Sequence, residues 1–113
     1  TDRLTYEVEE PATVEQIGIR IYQGAELSVQ IRPFVAYGDP SRRSEMDALQ
    51  FRGKSYVDGD DDHYRFPVSL AVDKGDLIGV DVTNTDGSNG YDWSVDFAVD
   101  HAGGLQRVIG GLL

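Results

Sequence analysis

Metal chemistry, if the chain has any, belongs to Asp58-Gly59-Asp60-Asp61-Asp62-His63, its densest group of ligand-capable side chains. Calcium takes roughly six to eight oxygen ligands, and Asp58, Asp60, Asp61 and Asp62 on a glycine-containing loop offer several. The run does not follow the EF-hand loop, which alternates its acids, sets Gly at the sixth position and closes on a distant Glu. Acid runs also serve simply as solvated loops. Two readings stand at these four aspartates, a structural calcium or a solvated loop, and no other cofactor is expected. A second set, Asp81, Asp92, Asp96 and Asp100, falls on the outward positions of strands that are candidates to be neighbours. Like charges directly opposite one another destabilise a sheet. These acids therefore sit apart, take up cations or rely on dissolved salt to screen them, and screening is the expectation.

Nucleophilic and phosphate chemistry find little to work with. His63 and His101 are the two histidines and there is no cysteine, so a zinc site would need both, and neither has a spacing such as His-x-x-x-His. No serine sits in a Gly-x-Ser-x-Gly elbow, and neither Gly-x-Gly-x-x-Gly nor a Walker loop occurs. Two carboxylates for glycoside hydrolysis are always nominally present in a chain with 20 acids, so their presence carries no information. The chain is expected not to be an enzyme.

The elements that would position these residues are strands. Phe66, Val68, Leu70 and Val72 alternate with Pro67, Ser69 and Ala71; Leu77, Ile78, Val80 and Val82 follow the turn Asp73-Lys74-Gly75-Asp76. After Asn84–Gly90, Tyr91, Trp93, Val95, Phe97 and Val99 alternate with Asp92, Ser94, Asp96, Ala98 and Asp100. A period of two rich in β-branched and aromatic residues marks half-buried strands. Earlier in the chain, Leu4, Tyr6 and Val8 form a first strand and Ile17, Ile19 and Ile21 the inward face of a second. A third runs through Leu27, Val29, Ile31, Val35 and Tyr37 on one face, with Pro33 marking a sheet edge or a bulge. The short link Gln23–Glu26 suggests that the second and third strands pair as a hairpin. Asp47–Phe51 reads as a further strand or a helical turn, with a strand the expectation. Seven or eight such strands, dry on one face and wet on the other, argue for an antiparallel sandwich or small barrel.

Two features lie outside that pattern. Leu105, Val108, Ile109, Leu112 and Leu113 fall at i, i+3, i+4, i+7 and i+8, the stripe of a helix, although Gly110 and Gly111 weaken it. Residues 1–104 then form the sandwich domain and 105–113 a docking tail. That tail either closes the sandwich it belongs to or inserts into a neighbouring subunit. Trp93 is in phase with the core, whereas Phe34 is out of phase with Ile31 and Val35 and is expected to be an exposed contact. Arg42-Arg43 either meets an acidic neighbour or is a solvated pair.

The chain has 113 residues, enough for one domain with its own core. Its net charge is −10; 14 of the acids are Asp and eight of the ten bases are Arg. Such a surface repels phosphate backbones and anionic lipid, so neither nucleic acid nor membrane is an expected partner. Scattered acids with little Lys suit a protein held in concentrated salt, where a Debye length of about 3 Å removes the self-repulsion. The first residues carry no basic-then-apolar leader, and no apolar run nears the ~18 residues of a membrane span, so the chain as given is expected to be soluble.

The segment Leu70-Ala71-Val72-Asp73-Lys74-Gly75-Asp76-Leu77-Ile78-Gly79-Val80-Asp81-Val82-Thr83-Asn84-Thr85 resembles the Lys-Gly-Asp-x-Ile-x-Val-x-Val hairpin of jelly-roll domains. These include viral capsid and decoration proteins, tumour-necrosis-factor-like trimers and carbohydrate-binding modules. Joined to the Asp-rich surface, the whole is similar to small β-sandwich structural proteins of viruses that infect haloarchaea. The resemblance implies a jelly-roll-like sandwich and a non-enzymatic subunit of a capsid decoration, turret or spike. Such a subunit forms a symmetric homo-oligomer on the virion and meets other virion proteins through its edges and tail. The alternative is an extracellular, cell-surface carbohydrate-binding module with a structural calcium near Asp58–Asp62.

Overall fold

The computed structural model describes residues 1–50, 53–86 and 89–101, and the backbone of 104–109. Among these, eight strands and no helix form two four-stranded antiparallel sheets. The first sheet runs β1 (Asp2–Glu7), β6 (Leu77–Asn84), β3 (Val29–Tyr37), β4 (Ser44–Asp47). The second runs β5 (Asp62–Val72), β2 (Ala12–Ile21), β7 (Trp93–His101), β8 (Gly104–Ile109).

The pairs β3·β4, β2·β5 and β1·β6 are nested in the chain and alternate between the sheets. One antiparallel ribbon is thus rolled over itself, the wrapping of a jelly roll, and the β7–β8 hairpin widens the second sheet beside β2. This wrapping corrects two sequence expectations. β2 and β3 do not pair as a hairpin: they lie in different sheets, and the link between them crosses from one to the other. That link buries Ala25 and bends through left-handed Glu26 (φ 48°) and Leu27 (φ 68°), so Leu27, expected on the inward face of the third strand, lies ahead of β3 and is exposed. The turn that carries the resemblance, Asp73–Asp76, is likewise a crossing between β5 and β6 rather than a hairpin.

That crossing is held from several sides. Gly75 takes φ +92°, a left-handed conformation for which its missing Cβ suits it, and Asp76 N–H donates to the Asp73 carbonyl at 3.0 Å. The buried Asp76 carboxylate accepts from Asp73 N–H at 2.7 Å and from Gly38 N–H, past the end of β3, at 2.9 Å. Val8 exchanges backbone bonds with Asp76 and Gly75 at 2.8 and 2.9 Å, tying in the residue after β1.

The core lies between the sheets where the alternation placed it. Val29, Ile31 and Val35 of β3 and Ile78, Val80 and Val82 of β6 face Val14, Ile17, Ile19 and Ile21 of β2 and the Trp93, Val95, Phe97, Val99 row of β7. β2 changes phase once, because its register shifts between Val14 and Gln16 against both neighbours; a bulge there moves the buried set from even to odd positions. Pro67 sits on edge strand β5, where a missing donor is tolerated. Pro33 lies in interior strand β3, at a place where β4 has already ended: its carbonyl accepts from Ala48 N–H at 3.0 Å. One residue pair further on, Ile31 bridges Val57 instead. The fourth strand is Ser44–Asp47, just ahead of the expected Asp47–Phe51, and all four of its residues are exposed.

The expected C-terminal helix is also corrected. Leu105, Val108 and Ile109 lie on β8, whose backbone pairs along β7 from His101↔Gly104 to Asp96↔Ile109. Nine residues with two glycines cannot hold a helix alone, whereas the edge of β7 supplies partners for the backbone of residues 104–109. Residues 104–109 are therefore part of the second sheet. Leu112 and Leu113 lie outside the described residues.

Candidate functional site

The acidic loop does not gather its carboxylates. Asp60 accepts from Gly24 N–H at 2.7 Å, Asp61 pairs with Arg20, and Asp62 accepts from Asp60 N–H at 2.9 Å. Asp58 offers its carbonyl to the Tyr64 hydroxyl at 2.8 Å, and Gly59 accepts from Leu27 N–H at 3.2 Å. Together these bonds tie the loop to β2, to the β2–β3 link and to β5. Among the described residues no three His, Asp or Glu side chains converge as metal ligands, and the carboxylates of Asp60, Asp61 and Asp62 are engaged within the fold.

Phe34 is the clearest departure from expectation. Its phase is as the sequence indicated, on the outer face of β3, yet it is wholly buried. The Arg3 guanidinium from β1 lies 4.2 Å from its ring centroid and that of Arg32 lies 5.3 Å away. Gly79 on β6 leaves the room: a Cβ there would stand 2.5 Å from Phe34 Cζ and 2.7 Å from the Leu4 carbonyl. Acids hold the two arginines in place. Arg3 reaches Asp81 Oδ1 at 2.6 Å and Glu45 Oε1 at 2.8 Å; Arg32 reaches Glu45 Oε1 at 2.6 Å, Asp81 Oδ2 at 2.9 Å and Asp47 Oδ1 at 2.5 Å. Hydrogen bonds from Arg3, and then Arg32, hold the Asp81 and Glu45 carboxyls below their usual range, against a smaller opposing effect of desolvation. Chemically this cluster is a clasp: it ties edge strands β1 and β4 across β6 and β3. Its charges are spent on one another, and Phe34 is not an exposed contact.

The outer face of the second sheet is built from the same residue types and differs. Register puts His63, Arg20 and Ser94 in one cross-strand row and Arg65, Gly18 and Asp96 in the next. Arg20, Tyr22, His63, Arg65, Ser94 and Asp96 line an open groove of about 390 Å³. Gly18 lies beneath the Asp96 side chain: a Cβ there would stand 2.2 Å from Asp96 Oδ1. The Arg20 guanidinium stacks 4.5 Å from the Tyr22 ring centroid, donates to the Asp62 carbonyl at 3.1 Å and pairs with Asp61, so one wall is fixed. Alternation turns Arg20 away from the Ile17, Ile19 and Ile21 face, but no local spacing brings the groove's other walls from β5 and β7 beside it.

The remaining candidates separate in space. Asp81 is on the first sheet, whereas Asp96 and Asp100 are on β7 and Asp92 just precedes it, so the second acidic set is split and Asp81 is neutralised by arginine rather than by screening alone. His101 Nδ1 meets Glu10 at 2.6 Å. His101 stands opposite Ala12 and His63 opposite Arg20, eight residues apart along β2, or about 26 Å at strand rise, so the two histidines share no site. No protein-family model, curated protein or solved structure matches the chain.

Proposed function

We propose that the chain is a non-catalytic structural module that assembles as a symmetric homo-oligomer in concentrated salt. Its setting is a virion surface, as a decoration, turret or spike subunit that contacts other virion proteins. The observation that carries this reading is the place of β8. The apolar run that begins at Leu105 enters the fold as the outermost strand of the second sheet. An outer strand presents unpaired backbone groups along its far side, and such an edge pairs readily with another chain. The distribution of charge supports the same reading. On the first sheet the acids Asp81, Glu45 and Asp47 are bound to arginines of the same fold, which leaves the net charge of −10 as a solubilising coat.

Light scattering in molar salt tests it. The chain is expected to give one discrete oligomer, and deletion of residues 105–113 to give a monomer that still melts cooperatively. A monomer at all protein concentrations, or an oligomer indifferent to the deletion, would contradict the reading.

A further inference from the structure

We propose that the hollow between the β2–β3 link and the segment leading into β5 binds a free amino acid with an apolar side chain, as its zwitterion. The proposal goes beyond the assembly reading, because this hollow borders β5, at the opposite edge of the second sheet from β8.

Leu27 is the anomaly. It holds a left-handed backbone (φ 68°), which bulky side chains rarely adopt, and yet that side chain stays 60% exposed. Burial in the core therefore does not account for a leucine there. Its side chain lines a hollow of about 260 Å³ together with the half-buried rings of Tyr56 and Tyr64. Lys54 and Asp58 line the same hollow and carry opposite charges, but they do not pair with each other. The Lys54 ammonium lies 5.4 Å from the Tyr56 ring centroid and takes no ion pair among the described residues. The Asp58 carboxylate, half-buried, takes neither a hydrogen bond nor an ion pair among them. Asp62, the remaining charged group of the lining, is engaged: its carboxylate accepts from Asp60 N–H at 2.9 Å.

One ammonium and one carboxylate are thus left for a ligand. Asp58 meets a ligand ammonium, Lys54 meets a ligand carboxylate, and Leu27 with the tyrosine rings covers an apolar chain. A ligand of single charge leaves one of the two groups unmet, whereas a zwitterion meets both. The volume suits a molecule of a few heavy atoms, and a free amino acid sets both charges on one carbon beside its apolar group. The walls are tied together before anything binds: Leu27 N–H donates to the Gly59 carbonyl at 3.2 Å, and the Tyr64 hydroxyl to the Asp58 carbonyl at 2.8 Å.

The test is a chemical-shift titration of the full chain with L-leucine, 3-methylbutylamine and sodium 4-methylpentanoate, with the leucine arm repeated on Asp58→Asn and Leu27→Gly. Saturable shifts centred on residues 27, 54–59 and 62–64 are expected with leucine. The amine lacks the carboxylate and the acid lacks the ammonium, so each is expected to bind about tenfold or more weakly. Asp58→Asn is expected to weaken leucine by a similar factor. Leu27→Gly is expected to weaken it too, in a protein that melts no lower than the parent, because glycine takes the left-handed backbone without strain. Absence of saturable shifts with leucine overturns the proposal. So does the amine or the acid binding as tightly as leucine, or a leucine affinity unchanged by Asp58→Asn or by Leu27→Gly. A Leu27→Gly protein that melts below the parent also overturns it, since Leu27 would then serve the fold.

Discussion

The outer faces of the two sheets carry the same kinds of side chain and use them in opposite ways. On the first, Arg3 and Arg32 lie over Phe34 and are each bound by two or three carboxylates. On the second, Arg65 and His63 are exposed on the wall of an open groove and take no hydrogen bond or ion pair among the described residues, and Gly18 lies beneath the Asp96 side chain. An arginine on a sheet exterior therefore says little by itself. What it does depends on whether an aromatic ring and acids stand in register beside it. The first face holds edge strands together, whereas on the second Arg65 and His63 stay exposed.

The contrast is broken most forcefully at Phe34. Phe34→Ala removes a fully buried ring and is expected to cost about 3 kcal/mol, read from chemical denaturation, because the two guanidiniums above it can close only part of the gap. Gly79→Ala comes next, at about 1–3 kcal/mol, since the added methyl meets the Leu4 carbonyl, which cannot swing aside, as well as the ring. Gly18→Ala on the other face is expected to cost less than Gly79→Ala, because the obstacle there is the end of the Asp96 side chain.

Acid sharpens the comparison. The Asp81 and Glu45 carboxyls are held below their usual range by Arg3 and then Arg32. A carboxyl lowered in the folded state stabilises fully above its unfolded value, about pH 4, and loses that contribution as pH falls through the folded value. Stability is therefore expected to be flat above about pH 5 and to fall below 4, and Asp81→Asn to make the acid limb shallower in melts at stepped pH. The smallest effect is the pair coupling itself. A double-mutant cycle on Arg3 and Asp81 is expected to give about 0.2–1 kcal/mol in dilute buffer, shrinking in molar salt as the charges are screened.

How much of this was legible in the sequence follows from the range of the interactions involved. Alternation is local, so the strands, the burial of Trp93 and the outward phase of Phe34 could be read along the chain. Which sheet a strand joins is not local. The turn at Asp73–Asp76 has the residues of a tight connection whether it joins neighbours or crosses the sandwich, and the nesting that decides this comes from distant pairs such as β1·β6. The burial of Phe34 depends on Arg3, from the other edge of its sheet, and no spacing announces that. The groove failed to appear for the same reason, since its walls come from three strands whose register is fixed only by the assembled sheet. At Leu105–Leu113 the apolar spacing favoured a helix, but so short a segment takes its conformation from the partner it finds, which for residues 104–109 is the edge of β7.

The division between a sealed face and an open one is tested most directly by melting Arg32→Ala and Arg65→Ala side by side with the parent chain. Arg32→Ala uncovers Phe34 and leaves Asp47, Asp81 and Glu45 short of a counter-charge, so a loss of about 1–2 kcal/mol is expected, a drop of several degrees. Arg65→Ala is expected to stay within about 0.5 kcal/mol of the parent. Equal losses in the two variants, or a larger loss from Arg65→Ala, would contradict the account.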